Sequence, residues 1–206
     1  MQLPQALSFS ILLISFLTLL GCSVHNKKKT TAPVADSFPI CYGYGCHTVQ
    51  HVTLSDEQWL TLGTLFSPPA DNAATEREQI ALAIAQMERF VGSKTNTNDD
   101  LPGTFEALFQ DLSHQMDCVD EATNTTVYLK LFRERQWITF HQEKARINRG
   151  FFFNGWPHTA GMIEELATEH RFAVDSWFHK NGVAPEIIPT KLWYSGWHPE
   201  PKNSSN

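Results

Sequence analysis

His158-Thr-Ala-Gly-Met-Ile-Glu-Glu-Leu-Ala-Thr-Glu-His-Arg-Phe-Ala-Val-Asp-Ser-Trp-Phe178 holds two short runs separated by turn-like residues. The runs, His158–Glu165 and Arg171–Phe178, are rich in apolar, aromatic and β-branched residues and fit an antiparallel hairpin. A turn centred between Leu166 and Ala167 sets His158 opposite Asp175 on one face. A turn centred two residues later separates them by four positions, about 13 Å along the strand. Upstream the pattern is helical. Ser55 reads as an N-cap, with Asp56 and Glu57 in the first turn of a helix to about Phe66, and Pro68-Pro69 closes it. A longer helix runs from about Ala73 to Val91, with Ile80, Ala83, Ile84, Met87 and Val91 forming one apolar face. Helices first and strands second argue an α+β class, with N-terminal helices packed on a small antiparallel sheet.

The remaining segments are weaker signals. Val49–Thr53 reads as a short strand, and Gly92–Gly103 as a polar loop. Gly150-Phe-Phe-Phe153 is a further short aromatic segment. Pro185, Pro189, Trp193 and Trp197 suggest an irregular tail over the body. There is no internal repeat.

Chemistry concentrates at Met116-Asp-Cys-Val-Asp-Glu121. Asp117 can cap a helix that places Cys118 in its first turn and Asp120 at the capping-box position. The helix dipole there favours a thiolate, while the flanking carboxylates repel it, so a general base is still required. Ala122, Leu129 and Phe132 continue the face of Cys118. Asn124-Thr-Thr-Val127 is poor helix material, which leaves a strand open at that point. His158 is the candidate base and Asp175 the candidate orienting acid, since a cysteine nucleophile needs a base held by a third group. The alternatives are a buried inert Cys118, or one paired with Cys41 or Cys46. Trp156 and Trp177 stand close to His158 and Asp175 in sequence and suit a cleft wall that excludes water.

Asp-Cys-x-Asp-Glu at a helix start, then a strand opening with His and a strand ending in Asp, resembles the bacterial transglutaminase-like cysteine peptidases. These are papain-like α+β proteins with a Cys–His–Asp triad in that chain order. The separations, 40 residues from Cys118 to His158 and 17 more to Asp175, suit the family. The resemblance covers about residues 111–178. It implies Cys118 as nucleophile, His158 as base and Asp175 as orienter, acting on a peptide or protein substrate. Some members are exported and bind calcium beside the nucleophile. Asp117, Asp120 and Glu121 are the partial counterparts here, with Val119 at a position often acidic in them. No other cofactor is expected. The N–H of Cys118 is the natural oxyanion donor, with Gln110 and Gln115 as further candidates.

Location is read from the N-terminus. Ala6–Leu20 is predominantly apolar and leads into Leu19-Leu20-Gly21-Cys22. At about 15 residues it is short for a bilayer span and has the length of a signal-peptide core. The last four residues resemble a bacterial lipobox, which implies cleavage before Cys22 and a lipid-anchored protein. An ordinary secretory signal or an uncleaved tail is the alternative, and Met1–Ser8 lacks Lys and Arg. Ser23, rather than Asp, follows the cysteine. In such lipoproteins that favours the outer membrane, here facing the periplasm. Residues 22–38 read as a tether, in which Lys27–Lys29 are either solvated or near anionic headgroups. Residues 39–206 then form one domain. A net charge of −6 among 206 residues offers no footprint for nucleic acid. In an oxidising compartment Cys41 and Cys46 are expected to pair around their Gly-rich turn, leaving Cys118 free. The Cys41-x4-Cys46-His47 spacing also invites comparison with haem attachment. A non-catalytic structural or binding lipoprotein is the rival to the peptidase reading.

Overall fold

The structure is a computed structural model that describes residues 37–104, 114–150 and 157–200. The expectations for the signal segment, Cys22, Ser23, Lys27–Lys29, Gln110, residues 151–153 and Trp156 lie outside them. The described elements are β1 (Phe38–Tyr42), β2 (Thr48–Val52), α1 (Asp56–Thr64), α2 (Ala73–Thr95), α3 (Cys118–Glu134), β3 (His141–Arg149), β4 (His158–Glu165), β5 (Arg171–Asp175), β6 (Glu186–Pro189) and α4 (Thr190–Tyr194). They form an α+β architecture. β1 and β2 make a hairpin, and β3-β4-β5-β6 a four-stranded antiparallel meander. None of the described helices is long and apolar enough to cross a membrane.

Local chemistry sets the helices. Ser55 accepts from the Gln58 N–H while the Gln58 side chain returns to the Ser55 N–H, a capping box that starts α1. Asn72 caps α2, which runs on past Val91 to Thr95 and ends on Asn96 in a left-handed conformation. Asp117 caps α3, accepting the N–H groups of Val119 and Asp120 at 2.9 Å each, and Asp120 reciprocates.

The weak helix formers inside α3 are held by tertiary partners. The Asn124 side chain exchanges two 2.8 Å hydrogen bonds with the N–H and C=O of Cys41 in β1. Thr123 and Thr126 bond back to carbonyls four residues earlier. The helix reading therefore holds, and the strand alternative at 124–127 does not.

Four elements were not foreseen. Phe38, expected in the tether, is a buried residue of β1. β3 reads as polar because only His141 and Ile147 in it are buried. Its start is fixed from α2. The Glu76 carboxylate accepts the backbone N–H groups of Thr139, Phe140 and His141 together with Nδ1 of His141 at 2.9 Å. Burial alone pushes the Glu76 carboxyl up, but these donors outweigh it and hold it below its ordinary range. The expected irregular tail is ordered instead: Glu186–Pro189 pairs with β5, and Thr190–Tyr194 forms a short helix.

The hairpin register differs by one step from the expected one. Gly161 pairs with Val174 and Met162 with Ala173, which centres the turn between Ala167 and Thr168. His158 and Asp175 are therefore diagonal neighbours, displaced by two positions yet still on one face. Long side chains reach across such a diagonal.

β4 is buried on both faces along almost its whole length. One face, with Ile163, joins the main core formed with Ile80, Ile84, Met87, Leu129 and Phe132 of α2 and α3. Ala160 and Met162 alternate to the other face, under Trp193. At Gly161 helix α3 comes close: a Cβ there would stand 2.8 Å from Thr125 Cγ2. Overpacking of this kind costs about 1–3 kcal/mol. Gly161→Ala is thus expected to lower the melting temperature, and Thr125→Ser, which deletes the obstructing methyl, to restore part of it. Thermal denaturation of the single and double variants checks this, and additive losses would place the clash elsewhere.

Candidate active site

The capping box places Cys118 at the first position of α3, half-buried and free of any disulfide. Burial pushes its thiol up, and the charges of Asp117 and Asp175 add to that. The N–H of Thr159 faces the sulfur and pulls the other way. The net shift is upward, so the thiol is neutral at rest and needs a base. The helix dipole does not outweigh burial here.

His158 stands next to Thr159 at the opening of β4. Its Nε2 meets Asp175 Oδ2 at 2.7 Å, and both side chains are almost wholly buried. A carboxylate only accepts, so Nε2 carries the hydrogen and Nδ1 holds the lone pair. That Nδ1 is buried and has no partner among the described residues. His141 provides the contrast. Its Nδ1 is on Glu76 and its Nε2 lies 3.1 Å from Arg77, so both nitrogens are occupied by the scaffold. Of these two buried histidines, only His158 keeps a basic nitrogen in reserve.

The structure thus brings His158 and Asp175 together on the Trp193 face of β4, and brings Cys118 to Thr159 on the opposite face, since consecutive strand residues point to opposite sides. Direct hydrogen bonding between Cys118 and His158 is absent. Trp177 packs on the His158 ring with centroids 4.7 Å apart, as its place in the sequence suggested. Trp193 was not foreseen. Fully buried, it donates Nε1–H to Asp175 Oδ2 at 2.7 Å and packs 5.5 Å from His158. It is a positioning residue, acting through Asp175. Its sequence signal was a lone tryptophan between prolines and a Gly, which no motif rule connects to a site.

The acidic neighbours of Cys118 serve the scaffold. Asp120 accepts the N–H of Tyr44 at 2.8 Å and of Cys46 at 2.5 Å, and Asp117 accepts that of Gly45 at 3.0 Å. Burial, then the charge of Asp117, raises Asp120 to about 6. The Cys41–Cys46 disulfide, with a Cα–Cα distance of 4.6 Å, clamps the loop that supplies these donors. Its sulfurs are thereby removed from thioether attachment to haem. They offer no thiolate to a metal either, although they lie within 4.8 Å of an Asp120 oxygen. Asp117 and Asp120 accept backbone N–H groups, and buried Glu121 accepts from Ser176, so all three side chains are engaged by the scaffold. The Gln115 side chain is bound to Leu101 and Asp99, which removes it as an oxyanion donor.

Beneath Asp175, its neighbour Ser176 donates to Glu121 Oε2 at 3.0 Å, while Glu88 Oε2 accepts from Gly182 at 2.8 Å. Burial pushes Glu88 up to about 8 and Glu121 well above its ordinary range; the charge of Asp100 adds to both, and that of Glu88 to Glu121. Near neutral pH Glu88 is therefore held protonated. The native state therefore binds more protons than the unfolded chain between about pH 4.3, the unfolded value, and the folded value of about 8. Stability is full below that window and falls as pH rises through it. Glu88→Gln, neutral throughout, is expected to flatten this decline. Melting temperatures of both proteins from pH 4 to 9 check it, and parallel curves would refute it.

No protein-family model matches this chain, nor does any curated protein or solved structure, so the site is read from its own geometry.

Proposed function

We propose that the protein is a thiol acyl-transfer enzyme of papain or transglutaminase type, most simply a cysteine peptidase or amidase. The observation that carries this reading is the buried His158, whose Nε2 is held on Asp175 and whose unpartnered Nδ1 belongs to the residue beside Thr159, which faces the Cys118 sulfur. Catalytic hydrogen bonds are often open in the free enzyme and tighten on substrate.

In the proposed reaction, the Cys118 proton passes to His158 Nδ1 as the sulfur attacks the carbonyl carbon of an amide. The C–N bond then breaks, the amine leaves with the proton from His158, and a thioester remains on Cys118. Water attacks the thioester, giving its proton to Nδ1. The carboxylic product departs, and the thiol recovers its proton. Asp175 orients the imidazole and stabilises its protonated form. The N–H at the first position of α3 has no intrahelical acceptor and is available to the oxyanion. On the same reading, Cys22 carries lipid and anchors the enzyme to the outer membrane, facing the periplasm.

The rival, a non-catalytic envelope lipoprotein that binds or scaffolds, is favoured by two observations: His158 is only 4 % exposed, and it lies on the face of β4 opposite to Thr159 and Cys118. Alkylation separates the two. Full-length protein in non-ionic detergent, treated with limiting iodoacetamide at pH 7, is expected to react at Cys118, and His158→Ala to react at least about tenfold more slowly. The gap narrows as pH rises and the thiol ionises unaided. A slow Cys118 that is indifferent to the His158 substitution would support the scaffold instead.

A further inference from the structure

Strand β3 does not run evenly beside β4. Lys144 pairs with Met162 and Ile147 with Ala160, so Ala145 and Arg146 together face the single Gly161. This is a β-bulge, a device that re-aims a side chain. Ala145 and Arg146 are consecutive exposed residues, and Arg146 bends over the start of α3. There its Nη1 bonds the hydroxyl of Thr123 and reaches the carbonyl of Val119 at 3.4 Å. A cleft of about 250 Å³ opens beside it, lined by Val119, Ala145, Arg146, Asn148 and Thr159. Two of those residues flank the thiol: Val119 follows Cys118 in the chain, and Thr159 faces its sulfur.

The polar groups left over on this wall share one character. Among the described residues Arg146 is tethered through Nη1 alone, which leaves Nε and Nη2 without a partner there. The Thr159 hydroxyl donates to Asn148 Oδ1 at 2.7 Å, which uses up the amide oxygen and leaves its NH2. The cleft therefore presents a fixed positive charge and amide donors beside the nucleophile, in a protein whose net charge is −6. Asp117, the carboxylate that precedes Cys118, is itself satisfied by the N–H groups of Gly45, Val119 and Asp120.

We propose that this cleft binds a carboxylate of the substrate, making acidic peptides, with the carboxylate close to the scissile bond, the class on which Cys118 acts. The inference rests on the reading of Cys118 as nucleophile and names the substrate class of that same site. Guanidinium is the cation best shaped for the task, since its planar fork matches a carboxylate.

Two alkylating agents that differ only in charge test it. Iodoacetate carries a carboxylate one carbon from the reacting centre, whereas iodoacetamide is neutral. Their rate ratio at Cys118 of the full-length protein is measured by peptide mass analysis and divided by the same ratio for 2-mercaptoethanol. The normalised preference for iodoacetate is expected to be about fivefold or more at low salt and to fall in about 0.5 M sodium chloride. Arg146→Gln is expected to bring it to about one while leaving the iodoacetamide rate within about twofold, and Arg146→Lys to keep most of it.

Equal preferences in the wild type and Arg146→Gln, with iodoacetamide still reacting, would overturn the acidic substrate class and leave the nucleophile standing. Failure of either reagent to modify Cys118 in the wild type would overturn both readings. Should Arg146→Gln not fold, the salt dependence of the wild type decides: a preference that does not respond to salt, or is absent, refutes the carboxylate site.

Discussion

The absence of a side chain at Gly161 lets helix α3 lie against strand β4 more closely than any other residue would permit, with Thr125 filling the space. Much of the site follows from that approach. It sets the N-terminus of α3 near the opening of β4, so that Cys118 comes to Thr159, while the preceding His158 turns to the opposite face with Trp193. The same glycine is the lone partner of the two bulged residues in β3, and the bulge swings Arg146 over the helix start. A single position therefore governs both the depth at which the nucleophile sits and the wall that faces it.

Carboxylates do much of the remaining positioning, and they do it by gathering backbone N–H groups. Glu76 collects three at the start of β3, while Asp120 and Asp117 hold the disulfide-clamped turn against the start of α3. Each arrangement satisfies amides that would otherwise be costly to bury. Glu88 and Glu121 solve the opposite problem. With too few donors for two charges at complete burial, they keep their protons. The acidic character of the sequence around Cys118 thus serves the scaffold.

How much of this was legible depends on whether the signal was local. The caps at Ser55 and Asp117, the periodic face of the second helix, the strand opening at His158 and the Cys41–Cys46 pair all follow from chemistry within a few residues. The parity that puts His158 and Asp175 on one face was also legible, although the turn is centred one residue later. What stayed hidden is tertiary. β3 is a mostly polar strand whose start is fixed by a glutamate 63 residues or more away in the chain. Asn124 remains helical because β1 lies across it. Trp193 gains its role only through the sheet that brings Asp175 to it, and the bulge at Ala145–Arg146 exists only as a mismatch between two strands.

Asp175 accepts from two donors, and the second comes from helix α4, later in the chain than Cys118, His158 and Asp175 itself. Synthesis runs in one direction, so this hydrogen bond is the last of the set that can form. A nascent or truncated chain ending before residue 193 would carry the thiol, the imidazole and the carboxylate, yet Asp175 would lack one donor and His158 one wall of its aromatic enclosure. The enclosure around Asp175 is thus completed only once residue 193 has been added.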